Sequence, residues 1–217
     1  MKRPLKGLKP SFKTGDIKRD LTTEQLAEIG AITLAYNQVE NHIDWMLTQS
    51  LRIPVTLHFD LVTRINGIDG KIHLLKQGTK HLLPEPQREA LADCLGEGAF
   101  KLLKGYRDAV MHARVHDALK GIGHGIERRG KQHEVLLTPT ALRGLYDHLN
   151  AVAKEMSALR ALVSCTIVQS TLNASDDQER ELFAIERQEY LTLCQQHRTE
   201  RLSLPPLPEF PPEPGGQ

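Results

Sequence analysis

Aromatic residues supply only 5% of this 217-residue chain, and tryptophan occurs once. With leucine and alanine plentiful, that composition leans towards helices. Cysteine is scarcer still. Cys94, Cys165 and Cys194 share no CxxC spacing, which excludes a disulfide framework and a zinc knuckle and fits reduced thiols. Charge of either sign is not in excess, with 28 basic against 27 acidic residues, so nothing global marks a nucleic-acid binder. Any such surface has to be local. The N-terminus has no apolar run of the kind that opens a secretory signal. The most apolar stretch, Leu159 to Leu172, is interrupted by Arg160, Ser164, Thr166, Gln169 and Ser170, too polar for a membrane span. The expectation is a soluble, cytoplasmic protein that does not enter membranes. What is present is ordinary for a globular chain, 40% hydrophobic and 25% charged residues, long enough for one domain with appended tails.

Along the chain, residues 1–20 are irregular and basic, with Lys2, Arg3, Lys6, Lys9, Lys13, Lys18 and Arg19 against Asp16 and Asp20. They read as a flexible leader. A capping box at Thr22 and Gln25 opens a helix, and Ile29, Ile32, Tyr36, Val39, Ile43, Met46 and Leu47 recur at helical spacing until Pro54 closes it. A second helix is expected over 55–81, with Phe59, Val62, Ile65, Ile68, Ile72 and Leu75 as its stripe and Gly67 and Gly70 weakening its continuity. Pro84 and Pro86 open a third helical region, which Gly96-Glu97-Gly98 breaks or bends before Phe100, Leu103, Tyr106 and Val110 resume the apolar face. Residues 118–138 change character, with Gly121, Gly123 and Gly125 alternating with Ile122, His124 and Ile126. They predict a small β-hairpin or extended loop. Thr138 and Pro139 restart a helix striped by Leu142, Leu145, Leu149, Val152, Met156, Leu159 and Val163. Ser175 caps a last helix to about Leu202, and the proline-rich tail 204–217 is expected to be extended and disordered. The fold class that follows is all-α, a four- to five-helix bundle with a small insert around 118–138.

Chemistry concentrates in Tyr106-Arg107-Asp108-Ala109-Val110-Met111-His112-Ala113. Arginine offers a permanent cation with forked donors suited to phosphate. Histidine, with an unperturbed pKa of about 6.5, exchanges protons near neutrality. Together they meet the needs of metal-free cleavage of an RNA phosphodiester. His112 removes the proton of a ribose 2′-hydroxyl, Arg107 stabilises charge on the phosphoryl oxygens, and Asp108 orients His112 or favours its protonated form. On a helix Asp108 and His112, four apart, share a face, whereas Arg107 and His112, five apart, diverge by about 140 degrees. A long arginine side chain or a two-fold dimer brings them to one cleft.

Arg107 and a polar Asp108, followed at four residues' remove by His112, lie late in a helical region that precedes an irregular insert. That arrangement resembles the HEPN superfamily, over roughly Thr22 to Val168. The family pattern places four to six residues between arginine and histidine, and asparagine is commoner than aspartate at the second position. The resemblance implies a helical domain over 21–203 that forms a homodimer with a composite site. It also implies cofactor-free RNA cleavage, often in toxin–antitoxin or antiviral settings with an antitoxin partner. Other members are inactive and serve as RNA-binding or protein-interaction modules, which is the alternative reading of this chain.

His116, Lys120, Arg128, Arg129 and Lys131 follow the motif and form a candidate RNA-holding element, or else an exposed loop kept soluble by charge. A competing reading sets Asp108, His112 and His116 along one helical face as metal ligands, with His124 or His133 recruited from the insert. No HExxH supports it. Glu40, Asn41, Asp44 and Trp45 read as a solvated face of the first helix, or as a border of the cleft. The glycines lack a GxxxxGK[ST] or complete GxGxxG pattern, and Ser164 and Cys165 lack a paired base.

Overall fold

The computed structural model describes residues 21–62, 64–65, 67–96, 99–111, 114–117, 122–126, 132–171 and 177–207. Helix α1 (Thr23–Ser50) begins where the sequence places it. Thr22 Oγ1 accepts from the Gln25 amide at 3.2 Å, and Gln25 Oε1 accepts from the Thr22 amide at 2.8 Å, so two otherwise orphaned donors are satisfied reciprocally. The helix ends in a Schellman turn. The Ile53 amide donates to the Thr48 carbonyl at 2.9 Å and the Arg52 amide to the Gln49 carbonyl at 3.1 Å. Arg52 therefore sits at φ 53, left-handed backbone that normally selects glycine.

The second helical region is not one helix. It divides into a 3-10 turn (Val55–Leu57), α2 (His58–Leu61) and α3 (Gly67–Thr79). Gly67 at φ +75 permits the turn into α3, while Val62, Ile68, Ile72 and Leu75 of the expected stripe are all buried. Gly78 brings α3 against the end of α1, since a Cβ there would lie 2.9 Å from Ser50 Oγ. α4 (Glu85–Cys94) carries proline in its first turn, and α5 (Phe100–Met111) follows. α6 (Pro139–Thr171) is capped by Thr138 Oγ1, which accepts from the Ala141 amide at 3.3 Å. α7 (Asp177–Leu202) closes the fold.

The architecture is all-α. Between α5 and α6 lie β1 (Arg114–Asp117), β2 (Ile122–Ile126) and β3 (Gln132–Leu136), an antiparallel meander in the order β1-β2-β3. The sequence predicts one hairpin or a loop from 118; the first strand starts four residues earlier and pairs Arg114 with His124. His124 is in turn opposite Glu134. β2 and β3 lie against α5.

α1 and α6 pack along their lengths in parallel. Gln25 Nε2 donates to the Leu137 carbonyl at 2.7 Å and Arg143 lies 3.5 Å from Glu28 at one end, while Ser164 Oγ lies 2.9 Å from Gln49 Oε1 at the other. Between these ties Ile32, Val39, Ile43, Met46 and Leu47 of α1 and Leu142, Leu149, Val152, Met156, Leu159 and Val163 of α6 form the core. Phe100, Leu91 and Leu95 close it from α4 and α5. α7 runs antiparallel to α6, with the Cys165 thiol near the Phe183 carbonyl and Arg201 reaching back to Glu155. The chain after it lies against α6, where His148 Nε2 is 2.8 Å from the Pro205 carbonyl and Leu207 packs beside the core. Residues 1–20 and 208–217 lie outside the described residues.

One charged cluster is buried in the bundle. Arg201 Nε donates to Glu155 Oε2 at 2.6 Å and Arg201 Nη2 to Asp93 Oδ2 at 2.7 Å, joining α7, α6 and α4. Glu155 is 1% exposed. Burial, and then the adjacent Glu155 carboxylate, push the Cys194 thiol up to about 12. Removing one member of such a pair strands a charge without water, at a cost of about 3–5 kcal/mol. Glu155→Ala is accordingly expected to lose about 3–5 kcal/mol in urea unfolding, and Glu155→Leu with Arg201→Met to regain most of it; equal losses in the single and double variants would contradict this. Arg52→Gly relieves the left-handed backbone and is expected to raise stability by about 0.5–1 kcal/mol in the same measurement.

Candidate functional site

The candidate site is built where α5 crosses α1. Tyr36 sits on the buried stripe of α1, and its ring stacks on Phe100 of α5 at a centroid separation of 5.5 Å and 24°. Two turns further along α5, the Arg107 guanidinium lies over the same Tyr36 ring, 4.4 Å from its centroid. Cations over an aromatic face at this distance are attracted by the ring quadrupole. Glu40, one turn on in α1, lies near the Tyr36 hydroxyl. Burial raises the Tyr36 pKa, and the nearby negative charges of Glu40 and Asp108 raise it further, so the phenol stays protonated.

Asp108 uses both carboxylate oxygens on α5 itself. Oδ1 accepts from Arg107 Nη1 at 2.8 Å and Oδ2 from Lys104 Nζ at 3.1 Å. Arg107 is 23% and Asp108 36% exposed at the side chain. The Arg107 Nε–H is buried and has no hydrogen-bond partner among the described residues. The cluster therefore holds two cations against Asp108, with Glu40 nearby, and a guanidinium that keeps donors to spare. An incoming phosphate has to compete with Asp108 for Arg107.

Of the residues expected in the site, the fold brings Arg107 and Asp108 together in the last turns of α5. His112 lies outside the described residues, as do Lys120, Arg128, Arg129 and Lys131. Among the described residues Asp108 is partnered by Arg107 and Lys104; its expected partner His112 is not among them. His116 is on β1, not on the helix. A single helical face shared by Asp108 and His116, which the metal reading requires, is therefore not formed. His124 and His133 are on β2 and β3, with His133 opposite Gly125.

Lys104, Tyr36 and Phe100 were not identified as site residues from sequence. Lys104 precedes Asp108 by four and Arg107 by three, so helical spacing alone is a signal for it. Tyr36 carries no such signal, because nothing in the sequence says which helix crosses α1 there. The supposed solvated face of α1 is also partly engaged. Asp44 pairs with Lys71 of α3 at 2.7 Å, both side chains 13% exposed. Trp45 stacks on His58 at 5.1 Å and 17°. Thr48 donates to the Asp44 carbonyl at 2.8 Å and so is left to accept from the His58 Nδ1–H.

Neither a protein-family model, nor a curated protein, nor a solved structure matches this chain.

The balance at Asp108 has a measurable sign. Burial taken alone raises its pKa, but hydrogen bonds from Arg107 and Lys104, together with their charges, outweigh it and hold the carboxyl below the usual aspartate value. A depressed folded-state pKa contributes stability above the unfolded value of about 3.9 and loses it as pH falls through the folded one. The Asp108 carboxyl is expected to titrate below about 3.9 by NMR and to move upward in Arg107→Ala or Lys104→Ala. A midpoint unchanged by both substitutions would show that the two cations do not hold it.

Proposed function

We propose that this protein is a HEPN-like, metal-independent endoribonuclease, with Arg107 as the phosphate-binding cation and His112 as the proton carrier. The observation that carries the reading is the guanidinium of Arg107, laid on the Tyr36 ring beside Asp108 with its side chain 23% exposed. A preorganised, partly exposed cation is what charge development on a phosphoryl oxygen requires. In the reaction, neutral His112 takes the proton of the ribose 2′-hydroxyl as its oxygen attacks phosphorus. The bond to the 5′-oxygen breaks, that oxygen takes a proton from the His112 imidazolium, and a 2′,3′-cyclic phosphate and a 5′-hydroxyl end remain. Asp108 accepts from both Arg107 and Lys104 and gathers the two cations at one place. Arginine supplies the charge and histidine the proton transfer, so the scheme itself calls for no metal or cofactor.

The sheet extends this reading. β2 and β3 lie against α5, and the segment carrying His116, Lys120, Arg128, Arg129 and Lys131 is assigned to the RNA backbone. Such contacts give affinity without base identity. A homodimer is part of the proposal, as it brings two copies of the motif into one cleft, and so is a cytoplasmic toxin–antitoxin or antiviral setting with an antitoxin partner. No helix among the described residues is long and apolar enough to cross a membrane.

A second reading, a non-catalytic helical interaction module, draws on α7, where Leu182 and Ile185 are 56% and 54% exposed. It does not require RNA binding that weakens steeply with salt, which phosphate contacts do.

The test is cleavage of labelled RNA in excess EDTA by wild type, His112→Ala and Arg107→Ala, each checked for folding. Wild type is expected to cleave, and each variant to lose at least about 100-fold with RNA binding largely kept. Equal cleavage by all three, or none by wild type, removes the proposal in favour of the interaction module.

A further inference from the structure

The geometry points to Tyr36 as a positioning residue for Arg107, an inference that rests on the ribonuclease reading above. The ring of Tyr36 is 4% exposed and held from several sides. It belongs to the buried stripe of α1 and stacks on Phe100. Arg107, by contrast, has a long flexible side chain in the last turns of α5. Its ionic partner Asp108 is its sequence neighbour and 36% exposed, so screening leaves that pair little power to fix the guanidinium. The Nε–H adds no constraint from described residues. What remains is the ring, 4.4 Å from the guanidinium carbon and immobile because the core holds it.

Tyr36 thus fixes the plane in which Arg107 presents its donors. The ring also leaves the guanidinium edge available, so a phosphate that takes the place of Asp108 meets a cation already oriented. Tyr36 itself is too buried to touch RNA. Its removal should therefore act through Arg107, on kcat more than on KM, because the interaction lost is one that strengthens as charge develops.

The experiment compares Tyr36→Leu and Tyr36→Phe in wild-type and Arg107→Ala backgrounds, with each protein checked for folding. Tyr36→Leu is expected to lower kcat by about 10- to 100-fold, as misplacement of a reacting group does, with KM nearly unchanged. Tyr36→Phe keeps the ring and should restore most of the rate, and in the Arg107→Ala background the change to leucine should cost nothing further. A general packing defect would not vanish with Arg107. An undiminished kcat in Tyr36→Leu, or an equal additional loss in the Arg107→Ala background, overturns the inference. If Tyr36→Leu does not fold, Tyr36→Met replaces it.

A readout without RNA separates this inference from the ribonuclease reading. In the NMR spectrum of folded wild type, the Arg107 side-chain protons are expected to be shifted upfield by the ring current and to return towards ordinary values in Tyr36→Leu or its replacement. Absence of that shift in wild type overturns the positioning claim whether or not the protein cleaves RNA. The shift without cleavage by wild type leaves Tyr36 holding Arg107 and removes the ribonuclease reading alone.

Discussion

Two long helices, α1 and α6, lie parallel, and that single arrangement dictates the course of the chain between them. A helix of the length of α1 advances about 1.5 Å per residue, so its end stands far from its beginning. α6 has to begin beside the start of α1, where Gln25 meets the Leu137 carbonyl. The intervening chain must therefore travel back along the pair. α3, α4 and α5 make that return, and α5 ends near the N-terminal third of α1, with Met111 at Thr33. The candidate site lies on the last part of this return path, where α5 crosses Tyr36.

Charge is handled differently at Arg201 and at Arg107, both partly withdrawn from water. Around Glu155 and Arg201 the groups are nearly sealed, and the pair is satisfied by short hydrogen bonds that reach three helices. This gives α7, whose outer face leaves Leu182 and Ile185 exposed, a directional anchor in addition to apolar burial. At Arg107 the sealing is incomplete. The guanidinium rests on an aromatic face and shares a carboxylate with Lys104, and its remaining donors are not committed to the described structure. The first arrangement is suited to holding helices together. The second leaves a cation that an anion can still recruit.

Much of the fold was legible from local chemistry. The Thr22–Gln25 box, the Thr138 cap with Pro139, the prolines opening α4 and the apolar stripes of α1 and α6 act within one or two helical turns, so sequence alone carries them. The long second helix was divided instead, because the chain turns at Gly67 in a backbone conformation that helical spacing does not encode. The insert gained a strand ahead of its expected start, since strand pairing links Arg114 to His124 across a sequence gap. Asp44 and Trp45 are polar or amphipathic and faced away from the expected stripe, yet α3 and α2 dock on them. For the site, Arg107 and Asp108 were legible as a pair of chemically suited residues on one helix. That Lys104 also reaches Asp108 follows from its i−4 spacing, while His112 lies outside the described residues.

The sequence by itself determined most of the helices, the caps at Thr22 and Thr138, the apolar faces that must be buried, and the presence of an arginine and a histidine within one short segment. Those properties depend on spacing and on each residue's own chemistry. Only the tertiary structure decided that α1 and α6 run parallel, that Arg201 finds Glu155 and Asp93, and that Tyr36 lies beneath Arg107. These are contacts between residues tens of positions apart. Many pairings of the same apolar faces would bury similar area, and the choice among them rests on how whole helices pack and where the chain can return.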